Sequence, residues 1–282
     1  MRALVVMLSG LLLSAVPAEA RPSPRPPARQ HRGKQVKRVA IERMARPESP
    51  VRPEGPQPID PYADNADAAV PEEAPAAPPR RARGQSIGAP WAGRLQDAAR
   101  LELGKSAYIR RPYRAFGTKT TVDHVRRAVR ATLAAFPRAH VLAIGDLSAE
   151  HGGWISEHSS HRSGRDIDLG LFYKKQPAGY PESFVRATDE NLDRATTWGL
   201  LANLLQSYGK DGGVQIVFLD YDVQGLLYKW AQGRGVKPRV LGQIFQYPHG
   251  RGAASGIVHH EPNHANHFHV RFRCAKADAD CY

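Results

Sequence analysis

Two histidine-containing clusters lie far apart in this chain of 282 residues, and they constrain its fold more than any other feature. The first reads HSSHRSGRDID from His158 to Asp168, and the second reads HANHFHVRFRC and contains His264, His267 and His269. Imidazole and carboxylate groups are zinc ligands, and a catalytic zinc keeps one position open for water. The sequence therefore predicts a Zn2+ hydrolase whose single metal site forms when folding brings the two clusters together.

The spacing within each cluster allows its side chains to converge. Gly164 lies between His161 and Asp168 and permits a tight turn that returns both side chains to one point. His267 and His269 alternate along a predicted strand, so both project to the same face of it. Surface histidine pairs are common, and the prediction of a metal site therefore depends on both clusters together.

Residues 1–20 are typical of a secretory signal peptide. Arg2 gives a basic start, residues 4–16 are apolar apart from small residues, and residues 18–20 form an A-x-A cleavage signal. The apolar run is too short for a membrane-spanning helix, and no later segment reaches the necessary length. We predict an exported mature chain without a transmembrane segment.

Residues 21–88 are predicted to form a disordered linker rich in proline and arginine. Aromatic residues are nearly absent and no hydrophobic period persists, so the segment cannot bury enough apolar surface to offset its ordering entropy. Its first part is strongly basic, and the whole chain carries a net charge of +13. The linker either contacts an anionic surface, such as membrane lipid or wall polymer, or serves as a solvated spacer. Nucleic acid fits the charge but not the export signal.

Residues 89–282 are predicted to form one α+β domain, with a small mixed or antiparallel sheet, flanking helices and the zinc site on the sheet. Three segments have helical periodicity: 121–136, 189–208 and 223–232. Four apolar or alternating segments are predicted strands: 140–147, 166–172, 214–219 and 267–272. Cys274 and Cys281 follow the last strand, and in an oxidising compartment they form a short-loop disulfide, with two free thiols as the alternative.

These strings resemble the penicillin-insensitive murein endopeptidases, which are zinc peptidases related to the D-Ala-D-Ala peptidases and the hedgehog N-terminal domain. The similar features are Gly145-Asp146, residues 158–168, residues 264–271 and the two cysteines. The resemblance covers roughly residues 88–282. It implies hydrolysis of the D-alanyl–meso-diaminopimelyl cross-link of peptidoglycan in the periplasm.

The resemblance also implies the metal ligands. His161, Asp168 and His269 match the metal triad of the group, and His158 matches a further histidine that contacts metal in this family or otherwise supports the site from the loop. Asp166 is expected to orient a ligand imidazole.

Two further histidines match catalytic positions. His267 matches the residue that aligns water and, when protonated, stabilises the tetrahedral intermediate, while His264 matches either a proton shuttle or a substrate contact. Carboxypeptidases and dipeptidases of the group carry a glutamate base at the position of Asn266, and its absence favours the endopeptidase branch. The alternatives are a D-Ala carboxypeptidase acting on stem peptides and a non-catalytic, zinc-containing module that binds the wall.

Overall fold

The computed structural model describes residues 84–282, and the α+β class predicted for this region is confirmed. The predicted signal peptide, residues 1–20, and most of the predicted linker, residues 21–88, lie outside the described residues. Within residues 84–282, no helix combines the length and the apolar character that crossing a membrane requires.

The folded region begins earlier than the predicted boundary at residue 89. Strand β1 (Gln85–Ala89) pairs antiparallel with strand β2 (Ala92–Gln96). Ser86 is buried, and its hydroxyl accepts a hydrogen bond of 3.0 Å from Nε of the buried Arg165. The end of the predicted linker therefore belongs to a strand that a distant arginine holds in place. The composition of the linker did not indicate this strand.

Asp168 and His269, two of the predicted ligands, lie on a six-stranded mixed sheet with the order β4-β6-β7-β10-β8-β9. In chain order its strands are β4 (Ala107–Ile109), β6 (Leu142–Ile144), β7 (Asp166–Gly170), β8 (Val214–Phe218), β9 (Val258–His259) and β10 (His267–Phe272). The outer pairs β4–β6 and β8–β9 are parallel, and the three inner pairs are antiparallel. Two short strands, β3 (Ala99–Arg100) and β5 (Phe116–Gly117), pair separately.

The register between β7 and β10 assembles the two sequence clusters. His269 lies opposite Asp168, and His267 lies opposite Gly170. Because strand side chains alternate, Phe268 and Val270 point to the other face of β10, where both are fully buried. One face of this central pair therefore belongs to the core, and the other presents the predicted ligands.

The core is completed by helices: α1 (Lys119–Ala135), α2 (Arg194–Leu205), α3 (Tyr221–Gly233) and α4 (Pro238–Ile244). Helix α2 begins later than the predicted residue 189, because the Asp193 side chain caps it by accepting from the N–H groups of Ala195 and Thr196. Leu200 and Leu201 belong to the same buried cluster as Phe268 and Val270 of the sheet. Helix α4 and the shortest strands were not predicted, since few residues define their periodicity.

The predicted disulfide is present in the structure. Cys274 and Cys281 are bonded, with their Cα atoms 5.7 Å apart. The bridge closes the chain segment that follows β10, and Gly88 of β1 donates its N–H to the Asp280 carbonyl at 2.8 Å. The C-terminal loop is thereby joined both to the strand that carries His267 and to the first hairpin.

We expect the double substitution of Cys274 and Cys281 by serine to lower the free energy of unfolding by about 2 kcal/mol, because the bridge closes only a short loop. Urea denaturation of the oxidised parent and of the double variant measures this difference. Thiol titration of unfolded, unreduced parent protein should find no free thiol. Equal denaturation midpoints would show that the bridge contributes nothing to stability.

A buried pair of tyrosines predicts a loss of stability at alkaline pH. The N–H of Ala143 donates to the Tyr180 hydroxyl at 2.8 Å, and the Tyr173 hydroxyl donates to the Val185 carbonyl. Burial raises the pKa of both Tyr173 and Tyr180 well above the ordinary value of a tyrosine. The folded state thus favours the protonated hydroxyl, so this stabilisation is complete below about pH 10, the unfolded value, and is lost as pH rises from there toward the raised pKa of the folded state.

Thermal melting of the parent should therefore weaken from about pH 10 upward. The variant Tyr173→Phe removes one of the two ionisations, and its melting temperature should fall less steeply between pH 10 and pH 11.5. Parallel slopes for the two proteins over this range would contradict the assignment.

Candidate metal centre

His161 is held in position by its main chain and by one ring nitrogen. The side chain is fully buried, and the residue adopts a left-handed conformation with φ 63°. Its N–H donates to Asp166 Oδ2 at 3.1 Å, and its Nδ1 donates to the Leu147 carbonyl at 2.8 Å. A proton on Nδ1 leaves the lone pair on Nε2, which faces Asp168. Gly164, with φ 71°, makes the turn that returns the chain toward Asp168.

Three ligand atoms form an equilateral set. Asp168 Oδ1 lies 3.3 Å from His161 Nε2 and 3.3 Å from His269 Nδ1, and these two nitrogens are 3.3 Å apart. Two ligands at 2.0–2.1 Å from a tetrahedral zinc are separated by about 3.3 Å. The side chains of both clusters therefore fit one zinc ion, with nitrogen and oxygen donors of the kind that zinc prefers.

The second cluster supplies two imidazoles, of which His267 has its other ring nitrogen hydrogen-bonded and His269 has its other ring nitrogen near a carboxylate. His267 Nδ1 donates to the side-chain oxygen of Asn266 at 2.6 Å, so the lone pair of His267 lies on Nε2. His269 Nε2 lies 3.5 Å from Asp166 Oδ1, which leaves Nδ1 as the atom directed at Asp168. Arg271 pairs with both oxygens of Asp166 at 2.7 and 3.1 Å and holds this carboxylate beside His269.

The groups around Asp168 Oδ1 suit a cation at the point where they meet. Asp168 Oδ1 is buried and receives no hydrogen bond from any residue in the range 84–282. The lone pairs of His161, His267 and His269 approach this oxygen at 3.3, 3.7 and 3.3 Å. With all three imidazoles neutral and these nitrogens unprotonated, the four atoms would be acceptors that repel one another, and a proton or a metal ion between them removes that repulsion.

The pKa shifts of His161 and Asp168 also indicate that a positive charge is favoured at this point. Burial opposes a positive charge on His161, but the neighbouring Asp168 outweighs this effect and raises the pKa of His161 to about 9. Burial likewise opposes ionisation of Asp168, yet His161 and the other imidazoles hold the pKa of this carboxyl well below its usual range. The site thus favours one positive charge beside Asp168, for which a proton and a metal ion compete.

His158 lies near the three atoms but is held differently. His158, His161 and Asp168 each offer a ligand atom, and these atoms lie within 4.8 Å of one another. His158 Nε2, however, is bonded to Asp146 Oδ2 at 2.9 Å and lies 3.9 Å from Asp168 Oδ2. The set of His161, Asp168 and His269 has the shorter distances between ligand atoms, and His158 is the more distant candidate.

Asp146 and Gly145 explain the Gly-Asp string that the sequence singled out. Asp146 is a buried anion that binds His158 and the guanidinium of Arg114, and these contacts lower its pKa although burial opposes ionisation. A Cβ atom added to Gly145 would lie only 2.8 Å from the Cβ of Asp168 and 2.8 Å from the Phe184 ring. Only glycine allows these two side chains to approach the end of β6 together.

The surroundings of His267 favour its neutral imidazole. Burial lowers its pKa to about 4, in spite of the nearby Asp168. The Phe184 ring stacks on His267 with centroids 4.8 Å apart and planes 15° apart. Together with Asn266, this stack orients an imidazole that can accept a proton through Nε2.

His264 is a second neutral imidazole in the same group. Its Nδ1 donates to the Pro262 carbonyl at 2.8 Å, which leaves Nε2 as the acceptor, and burial lowers its pKa. Its ring centroid is 4.7 Å from that of His267 and 5.7 Å from that of His269. Four of the six predicted site residues thus surround Asp168 closely, and His264 lies beside them.

Two adjoining cavities of about 520 and 320 Å³ open at this centre. They share five lining residues: Glu157, His158, Glu261, His264 and His269. Arg110 and Phe184 line only the larger cavity, whereas Trp91 and Phe218 line only the smaller. A further cavity of about 610 Å³ lies between the first hairpin and the C-terminal residues and contains none of the metal-binding side chains.

The loop before β10 lines the cavities only in part. Residues 261–264 do so, whereas His249, His259 and His260 line neither cavity. Trp154 is 70% exposed and also lies outside both cavities. Trp91, which was overlooked, lies on the wall and is 57% exposed, and no local pattern marks it except its turn between β1 and β2.

Residues 86–215 match the family model described as penicillin-insensitive murein endopeptidase, so the resemblance seen in the sequence is confirmed. The matched segment contains the first cluster with His158, His161 and Asp168. It ends before the second cluster, whose connection to the site comes from the pairing of β7 with β10. A comparison with curated proteins found no match.

Proposed function

We propose that this member of the penicillin-insensitive murein endopeptidase family is an exported zinc endopeptidase that cleaves the D-alanyl–meso-diaminopimelyl cross-links of peptidoglycan. The observation that carries the proposal is the set of three ligand atoms, each 3.3 Å from the others, beside the neutral His267. The cleft supports cleavage within a chain, because cavities with different walls adjoin at the centre and leave room for substrate on both sides.

The residues that would hold zinc are His161, Asp168 and His269, with His158 as a further candidate ligand through the ring nitrogen that Asp146 does not hold. When bound, zinc polarises the scissile carbonyl and lowers the pKa of water. Asp146 and Asp166 would each fix the orientation of one imidazole, as carboxylates behind metal ligands commonly do.

His267 would serve as the general base. Its Nδ1–H is donated to Asn266, so Nε2 is free to take a proton from the attacking water. The same nitrogen would then return the proton to the leaving amine, and His264, whose Nε2 is also free, would assist or bind the substrate. A neutral resting imidazole suits this sequence, since a base must begin without its proton.

Two rival functions are weaker on the present geometry. A carboxypeptidase of this group needs a glutamate base where this chain has Asn266, and the Asn266 amide oxygen instead accepts a hydrogen bond from His267. A non-catalytic module with structural zinc would not need two neutral imidazoles beside the ligands in an open cleft.

The test is to incubate the purified chain with cross-linked muropeptide dimers and with monomeric pentapeptides and to identify the products by mass spectrometry. We expect dimers to become monomers, a chelator to stop the reaction and added zinc to restore it. Release of one D-alanine from monomers, with dimers intact, would favour the carboxypeptidase. Wall binding without any hydrolysis would favour the module.

We further propose that residues 1–20 direct export and that the basic segment before β1 binds an anionic surface. Deletion of residues 21–83 should leave hydrolysis of soluble muropeptides intact but weaken binding to isolated sacculi at low salt. The difference should shrink near 0.15 M salt, where exposed charges are screened beyond about 8 Å. Co-sedimentation of both chains at two salt concentrations measures it, and equal binding at low salt would favour a passive spacer.

A further inference from the structure

We propose that Arg110 binds a carboxylate of the substrate in the larger cavity, next to the scissile bond. This inference rests on the proposed function and names what its cleft recognises. The group that we expect Arg110 to bind is a free carboxylate. It is attached to the same carbon atom as the amino group that forms the cross-link. An aminoacyl unit linked in this way carries that anion beside the bond to be cut.

The main chain and stem of Arg110 are fixed at the wall of the cleft. Arg110 follows β4, and its N–H donates to the Ile144 carbonyl at 3.0 Å, at the end of β6. Its Nε donates to the Glu182 carbonyl at 2.9 Å. These two hydrogen bonds hold the guanidinium in position. Only the second uses a side-chain donor atom, which is Nε.

The Arg110 guanidinium and the proposed base, His267, contact the same aromatic ring. Arg110 Cζ lies 4.5 Å from the centre of the Phe184 ring, and the His267 ring stacks on the same Phe184 ring with centroids 4.8 Å apart. Arg110, Phe184 and His267 all line the larger cavity. A substrate group bound by Arg110 is therefore close to the scissile bond. Such a group belongs to one of the residues that form this bond.

Arg110 also differs from the other arginines of the cleft in its charge balance. Arg111 pairs with Asp146 and Glu157, and Arg271 pairs with Asp166. Within residues 84–282, no carboxylate lies within 4.0 Å of Arg110 in an ion pair, and its two Nη atoms make no hydrogen bond. A planar guanidinium with two free nitrogens suits a carboxylate, which it binds through two parallel hydrogen bonds.

The test compares two cross-linked muropeptides that differ only in this carboxylate, which is free in one and converted to the carboxamide in the other. We expect the parent chain to cleave the free acid with a kcat/KM about 10- to 100-fold higher, since the amide cannot form a charge-assisted pair. Arg110→Met should bring this ratio close to one, and Arg110→Lys should retain part of it. Arg186→Met removes an exposed positive charge outside the cleft and should keep the parental ratio.

A binding measurement separates this inference from the proposed function. Calorimetry on the parent chain depleted of metal should show weaker binding of the carboxamide than of the free acid, and Arg110→Met should abolish that difference. Absence of hydrolysis in the parent, with this binding difference present, would overturn the proposed function but not the carboxylate site. A preference for the free acid that persists in Arg110→Met would overturn the inference, provided that the circular dichroism spectrum of the variant matches the parent.

Discussion

Asp168→Ala should reduce the zinc content of the purified protein to background and abolish hydrolysis. Asp168 Oδ1 is the atom around which three imidazole nitrogens lie at 3.3–3.7 Å, and it is the only anionic donor in that set. Its removal leaves neutral imidazoles, which bind a divalent cation more weakly than a site that contains a carboxylate. The variant should retain the fold, because Ile167 and Leu169 on the other face of β7 remain buried in the core.

Elemental analysis after dialysis measures the metal, and circular dichroism checks the fold. Asp222→Ala is a matched control, since Asp222 is exposed and pairs only with Arg251 among residues 84–282, and this variant should keep about one zinc per chain. Asp168→Asn should behave like the alanine variant, because it preserves the shape of the side chain without its charge. Full zinc occupancy in either Asp168 variant would remove this residue from the ligand set.

His267→Ala should have the second largest effect, but of a different kind. Zinc should remain bound, because the set of His161, Asp168 and His269 is intact, whereas turnover should fall by about 10²- to 10⁴-fold through loss of the general base. The fall should appear in kcat rather than in KM, since the imidazole is placed to accept a proton.

The matched control is His249→Ala, because His249 is an exposed loop histidine that lines neither cavity, and this variant should have the parental rate. His264→Ala should be measured in parallel. A near-normal rate for His267→Ala together with a large loss for His264→Ala would transfer the role of base to His264. Loss of zinc from His267→Ala would instead make His267 a ligand.

Much of the fold follows from local patterns that any reader of the sequence can find. The valines of α1 and the alternation along β10 each depend on residues a few positions apart. Short-range periodicity indicates which face of an element is buried, because the residues on that face recur with the period of the helix or strand. The predicted strand at residues 214–219 therefore lies close to its observed bounds, while β9 and α4 were missed because they are too short to show a period.

The sequence by itself determined the composition of the site: three histidines and one aspartate as candidate ligands, two further histidines beside them, and the disulfide. Only the tertiary structure decided how they are used. The register of β7 against β10 places His269 opposite Asp168, and burial lowers the pKa of His267 to about 4. Arg110 and Phe184 became part of the cleft only through contacts between distant segments. Strand register and desolvation depend on which distant segments pack together, and a local sequence pattern does not record that choice.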